Sequence, residues 1–103
     1  MMATNKMRAI HPGEILREEY LAPLVLTSHA LAMNLHVPAT RINDVVRGKR
    51  GITIDTAIRL ARFFGTTAQF WLNLQNSYDL KLANAKGVEK KIEDEVHPLM
   101  VAA

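Results

Sequence analysis

Cysteine is absent from the 103 residues. No structural disulfide, thiolate metal site or cysteine nucleophile is therefore possible. That fits a reducing cytoplasm, where such bonds do not persist. Apolar runs are only a few residues long, so no membrane-spanning helix is expected. The opening MMATNKMRAI lacks the apolar centre of a secretory leader. The four histidines, His11, His29, His36 and His97, show no HExxH or similar metal spacing. Phosphate-cradling GxGxxG and GxxxxGK loops are missing, and Asp44 and Asp55 have no obvious catalytic base beside them. An enzyme, a bound cofactor and a metal site are all unexpected. Aromatic residues make up 6% of the chain and fall mostly on expected core faces. That argues against a single-strand RNA binder, which stacks bases on exposed rings.

What remains describes one ordinary soluble domain, with 49% hydrophobic and 22% charged residues. A domain this small is marginal alone, and a partner subunit would help it. Net charge is +3. The excess is concentrated between Arg41 and Arg62, where six basic residues face two acidic ones. Such a window favours an anionic partner, nucleic acid first, although a solvated face has the same composition.

Residues 1–10 predict a loose arm and residues 11–87 a helical domain. Residues 88–103 predict a C-terminal helix or tail. His11-Pro12-Gly13-Glu14 opens the first helix, which Pro23 should end near Leu21. Thr27 caps a second helix, Ser28 to Leu35, and a third runs from Ala39 to Arg47. Thr53 caps a fourth, with an apolar stripe of Ile54, Ala57, Ile58, Ala61 and Phe64, and Gly65 stops it. Thr67 caps a fifth, whose stripe is Phe70, Trp71, Leu74 and Tyr78. No alternating segment is long enough for a strand. The expectation is an all-α domain of five helices.

The second and third helices are joined by a short turn, with small Ala32 where they would meet. This is the spacing of a helix-turn-helix, whose second helix enters the major groove. A packed helical hairpin has the same outline. His36 stands where glycine is usual, and Pro38 stands where a side-chain cap is usual. Both make the turn less than ideal. In the groove, Ala39 and Thr40 could meet a thymine methyl, Arg41 guanine, and Asn43 adenine. Ser28, Arg47, Lys49 and Arg50 suit phosphate contacts, which set register without reading sequence.

Four stretches carry a family resemblance: HPGEILREEYL, LAMNLHVPATRINDVVRGKRGIT, TAIRLARFFGTTAQFWLNLQ and NSYDL, together spanning residues 11 to 80. The chain resembles the HigA-type antitoxins, also called virulence-associated protein I, within the lambda-repressor-like (XRE) helix-turn-helix group. FFGTTAQFWLNLQNSYDL is the most specific part. The resemblance implies a five-helix lambda-repressor-like DNA-binding domain that works as a homodimer on a palindromic operator in double-stranded DNA. It implies a HigB-type mRNA-cleaving toxin as partner, neutralised by the antitoxin, which also represses the shared operon. It places dimer contacts after the third helix and in the C-terminal part. Phe70, Trp71, Leu74 and Tyr78 are the candidates there, although a tryptophan at helical spacing serves a core equally well. Two alternatives stay open: a stand-alone regulator without a toxin, and a toxin-binding protein that has lost DNA binding.

Overall fold

A computed structural model describes residues 8–100. The expected arm over residues 1–10 lies mostly outside the described residues, as do residues 101–103 of the expected tail. From the arm, Arg8 donates two 3.0 Å hydrogen bonds to the Glu14 carboxylate.

His11 is the N-cap of the first helix: its Nδ1 accepts the Gly13 N–H at 2.9 Å. Pro12 follows at the first helical position, where its missing N–H would have been unpaired in any case. The helix runs over Pro12–Ile15 and passes directly into a wider π-helical stretch, Leu16–Leu21. The two together are α1. It ends where Pro23 predicted, but its π geometry was not expected.

The other helices are α2 (Ser28–Leu35), α3 (Ala39–Val46), α4 (Ile54–Phe64), α5 (Ala68–Ala85) and α6 (Val88–Glu95). Three of these five, α2, α4 and α5, start on threonines as the sequence predicts. Thr27, Thr53 and Thr67 accept the N–H groups of Ala30, Thr56 and Phe70 at 3.0, 3.4 and 3.0 Å. Each satisfies one of the donors that a helix start leaves open. Among the described residues the fold is all-α, as expected. In the last stretch Val88–Glu95 is helical, and residues 96–100 have no regular secondary structure.

One core unites α1 to α5. Leu16, Leu31, Ala32, Ile42, Val45, Ala57, Leu60 and Trp71 are fully buried, with Leu21, Leu35 and Ile52 nearly so. Ala32, the small residue expected where α2 and α3 meet, is part of this core. α6 adds no buried residue. The apolar stripe expected on α4 divides. Ala57 is buried, and Ala61 and Phe64 are half-buried, but Ile54 and Ile58 are exposed. Leu60, outside the expected stripe, is buried instead. Val25, before α2, holds φ at 51° while fully accessible, a costly conformation for a β-branched residue.

Candidate nucleic-acid interface

The turn between α2 and α3 takes the form that the sequence predicts, with its weak points compensated. His36 has φ 59° and ψ 45°, the left-handed position usually given to glycine, and its N–H reaches the Ala32 and Met33 carbonyls. Arg59 of α4 donates from Nη1 to the Leu35 carbonyl at 2.8 Å. A cation at the carbonyl end of a helix is favourable. Pro38 gives α3 no side-chain cap, but its carbonyl accepts the Arg41 N–H at 3.0 Å.

α3 turns Ile42 and Val45 into the core. This orients the opposite face outward. Thr40, Asn43 and Arg47 are exposed at i, i+3 and i+7, a single helix face. Ala39 and Arg41 are half-buried at its margin, and Ser28 is half-buried on the first turn of α2. Lys49 and Arg50 are exposed on the turn after α3.

Electrostatics separates the basic residues into two sets. Arg41 and Arg59 share the Asp55 carboxylate, Arg59 at 2.9 Å. Hydrogen bonds from Arg59 and then Arg41 hold that carboxyl below its ordinary pKa. Arg50 lies 3.5 Å from Asp44. Arg47, Lys49 and Arg62 form no ion pair among the described residues. The sequence paired no residue with Asp55. In the structure Arg41 must leave or share this carboxylate to reach a base.

Two residues that sequence reasoning missed hold the loop carrying Lys49 and Arg50. Gln75 of α5 accepts the Ile52 N–H at 2.7 Å and donates to Asp79 at 3.0 Å. His11 lies edge-on to Tyr78, ring centroids 4.9 Å apart, and beside Gly48. Its HPGE setting marked it as a helix opener, but the loop contact joins distant positions and leaves no local signal.

Burial, the larger influence, pushes the His11 pKa below its ordinary 6.5, while the Asp79 charge and the Arg50 backbone act the other way. The neutral ring is the form that accepts the Gly13 N–H. The stabilisation is therefore complete above the unfolded imidazole value and is lost as pH falls through the lower folded value. Urea midpoints measured at about pH 7.5 and about pH 5 should fall with acidification, since the unfolded imidazole titrates between them. His11→Asn, which keeps a cap acceptor but cannot titrate, should flatten that difference. Equal slopes in both proteins would remove His11 from the account.

The expected dimer candidates divide as well. Trp71 is fully buried and donates its indole N–H to Thr66 at 2.7 Å, so it belongs to the core of its own chain. This corrects its place among the interface candidates: core packing has taken the ring. Leu74 and Tyr78 are half-buried beside Ile10 and Ile15, and Phe70 is only partly exposed, edge-on to Trp71.

The helix-turn-helix family pattern matches residues 18–71, which includes α2, the turn, α3 and α4. The chain is 66% identical over 79 residues to virulence-associated protein I of Dichelobacter nodosus, covering 77% of this chain and 73% of that protein. It is 38% identical to antitoxin HigA-1 of Vibrio cholerae over 77% of this chain and 74% of that one. Its fold is similar to the Pseudomonas aeruginosa antitoxin HigA solved with the higBA promoter. There the TM-score is 0.85 at 53% identity, covering 90% of this chain and 100% of that one. The chain belongs to the helix-turn-helix family, in the group that contains virulence-associated protein I and the HigA antitoxins.

Proposed function

We propose that this chain is a sequence-specific DNA-binding antitoxin of the cytoplasm, with no catalytic step and no cofactor. It represses its own operon as a dimer on a palindromic operator and neutralises a HigB-type mRNA-cleaving toxin. The observation that carries the DNA reading is the outward face of α3, with Thr40 and Asn43 exposed beside Arg47 and Lys49, which form no ion pair among the described residues. The likeness to a HigA solved on promoter DNA supports it. The partner toxin rests on the family.

Two roles divide the surface. Thr40 and Asn43 read base edges directly, Ala39 lies at the margin, and Arg41 reads guanine when Asp55 releases it. Ser28, Arg47, Lys49 and Arg50 hold phosphates and release counterions. Two copies of α3 about 34 Å apart, one turn of DNA, match an inverted repeat.

One experiment tests both halves: gel shifts on the chain's own upstream region, with and without the co-expressed neighbouring toxin gene product. Asn43→Ala should lose about 1–3 kcal/mol of discrimination at one base pair, and Lys49→Ala should weaken every sequence alike and lower the salt slope by about 1. Identical behaviour of the two variants on all probes contradicts this division. Failure to bind or silence the neighbouring product, with DNA binding intact, leaves a stand-alone regulator.

A further inference from the structure

The loop that carries Lys49 and Arg50 joins α3 to α4 without helix or strand of its own. Its first half hangs on α3. The Gly48 and Lys49 N–H groups donate to the Val45 and Asp44 carbonyls at 3.0 and 2.8 Å. Its second half is tied to α5, outside the helix-turn-helix. The Gln75 carboxamide oxygen accepts the Ile52 N–H at 2.7 Å, and its NH2 group donates to Asp79, one turn on, at 3.0 Å. Gly51 lies against the same carboxamide: a Cβ there would come within 3.0 to 3.1 Å of its three terminal atoms. A further tie comes from the start of α1, where the His11 ring sits beside Gly48 and hydrogen-bonds to the Arg50 backbone.

We propose that Gln75 is a positioning residue for DNA affinity: by tying this loop to α5 it holds Lys49 and Arg50 where they meet phosphate. The inference rests on the phosphate role proposed above for those two residues. Ordering a free backbone segment costs conformational entropy residue by residue. A loop already ordered by folding leaves little of that cost to be met when DNA arrives.

The direction of the Gln75 carboxamide is itself determined. Turned the other way, its NH2 group would oppose the Ile52 N–H, donor against donor. An ionised carboxylate only accepts, so Asp79 takes the NH2 group and leaves the oxygen facing Ile52. Base reading has a separate anchor. Ile42 and Val45 fix α3 in the core without help from the loop. Affinity and discrimination therefore answer to different parts of the fold.

Anisotropy titrations of the full chain test this on two labelled duplexes of equal length, its own upstream region and an unrelated sequence, over a salt series. Circular dichroism at the titration temperature confirms that each variant is folded. Gln75→Met keeps the side-chain length and removes both hydrogen bonds. It should weaken binding to both duplexes by about tenfold, within the range of coupled neighbours. The salt slope should fall by about 1 to 2, and the ratio between the duplexes should hold. In a Lys49→Ala/Arg50→Ala background the same change should have no further effect on binding. A merely structural role would lower binding by the same factor in both backgrounds. The paired exchange of Gln75→Glu with Asp79→Asn keeps the net charge and an acceptor for Ile52, and reverses the bond between the two side chains. It should bind within about twofold of the parent chain. Equal losses in both backgrounds, parental binding by Gln75→Met, or an exchange as weak as Gln75→Met each overturn the positioning role and leave the phosphate contacts standing. If the Lys49→Ala/Arg50→Ala variant itself binds like the parent chain, the phosphate role falls and this inference with it.

Discussion

Gly13→Ala is expected to destabilise the fold by about 3 kcal/mol and to abolish binding to the upstream region. Gly13 is buried in the first turn of α1, against the end of α3. An added Cβ would land on the Val45 carbonyl oxygen and 2.7 Å from its carbonyl carbon. Both atoms are backbone, so no side chain can rotate away. Relief would require α1 and α3 to separate at the point where Val45 enters the core and Arg47 follows. The same substitution therefore acts on stability and on the angle of the reading helix. Urea denaturation and gel shifts measure the two effects. A variant within about 0.5 kcal/mol of the parent, the range of harmless surface changes, would refute the close approach.

Trp71→Ala should cost about 3–5 kcal/mol. That is comparable with the entire stability of many small domains, on the order of 5–15 kcal/mol. The indole is fully buried, with Tyr20 and Phe70 rings centred 5.1 and 5.0 Å away. Its N–H is satisfied by Thr66. Trp71→Phe should keep most of the packing, lose the hydrogen bond and cost about 1–2 kcal/mol, mostly for the vacated volume. Because this is the sole tryptophan, the midpoints must come from circular dichroism rather than fluorescence. A mild effect of Trp71→Ala, with loss of dimer instead, would return the ring to the interface.

The contrast between Trp71 and Ile58 shows what a sequence can carry. Helix starts were legible because a cap acts over three residues: Thr27, Thr53 and Thr67 each needed only their own neighbours. The left-handed turn at His36 was legible for the same reason. Apolar periodicity, by contrast, reports that a face avoids water without saying what covers it. Phe70, Trp71, Leu74 and Tyr78 formed one stripe in sequence, yet Trp71 went to the core while Phe70 stayed at the surface. On α4 the stripe suggested one buried face, and Ile54 and Ile58 lie outside it. Links across the chain were beyond reach. Gln75 meets Ile52 from 23 positions away, and Arg41 meets Asp55 from 14. The π-helical stretch in α1 is a slip in hydrogen bonding that leaves no mark in composition.

The carboxylate between Arg41 and Arg59 has a bearing on how the operator is searched for. On the proposed function, a molecule sliding over unrelated sequence keeps its most discriminating side chain stowed on Asp55 and travels on its phosphate contacts, Ser28, Arg47, Lys49 and Arg50. Only a site whose guanine offers two acceptors at once can draw Arg41 out of storage. Idle stretches of genome are then passed over quickly, and commitment is deferred until the correct base arrives.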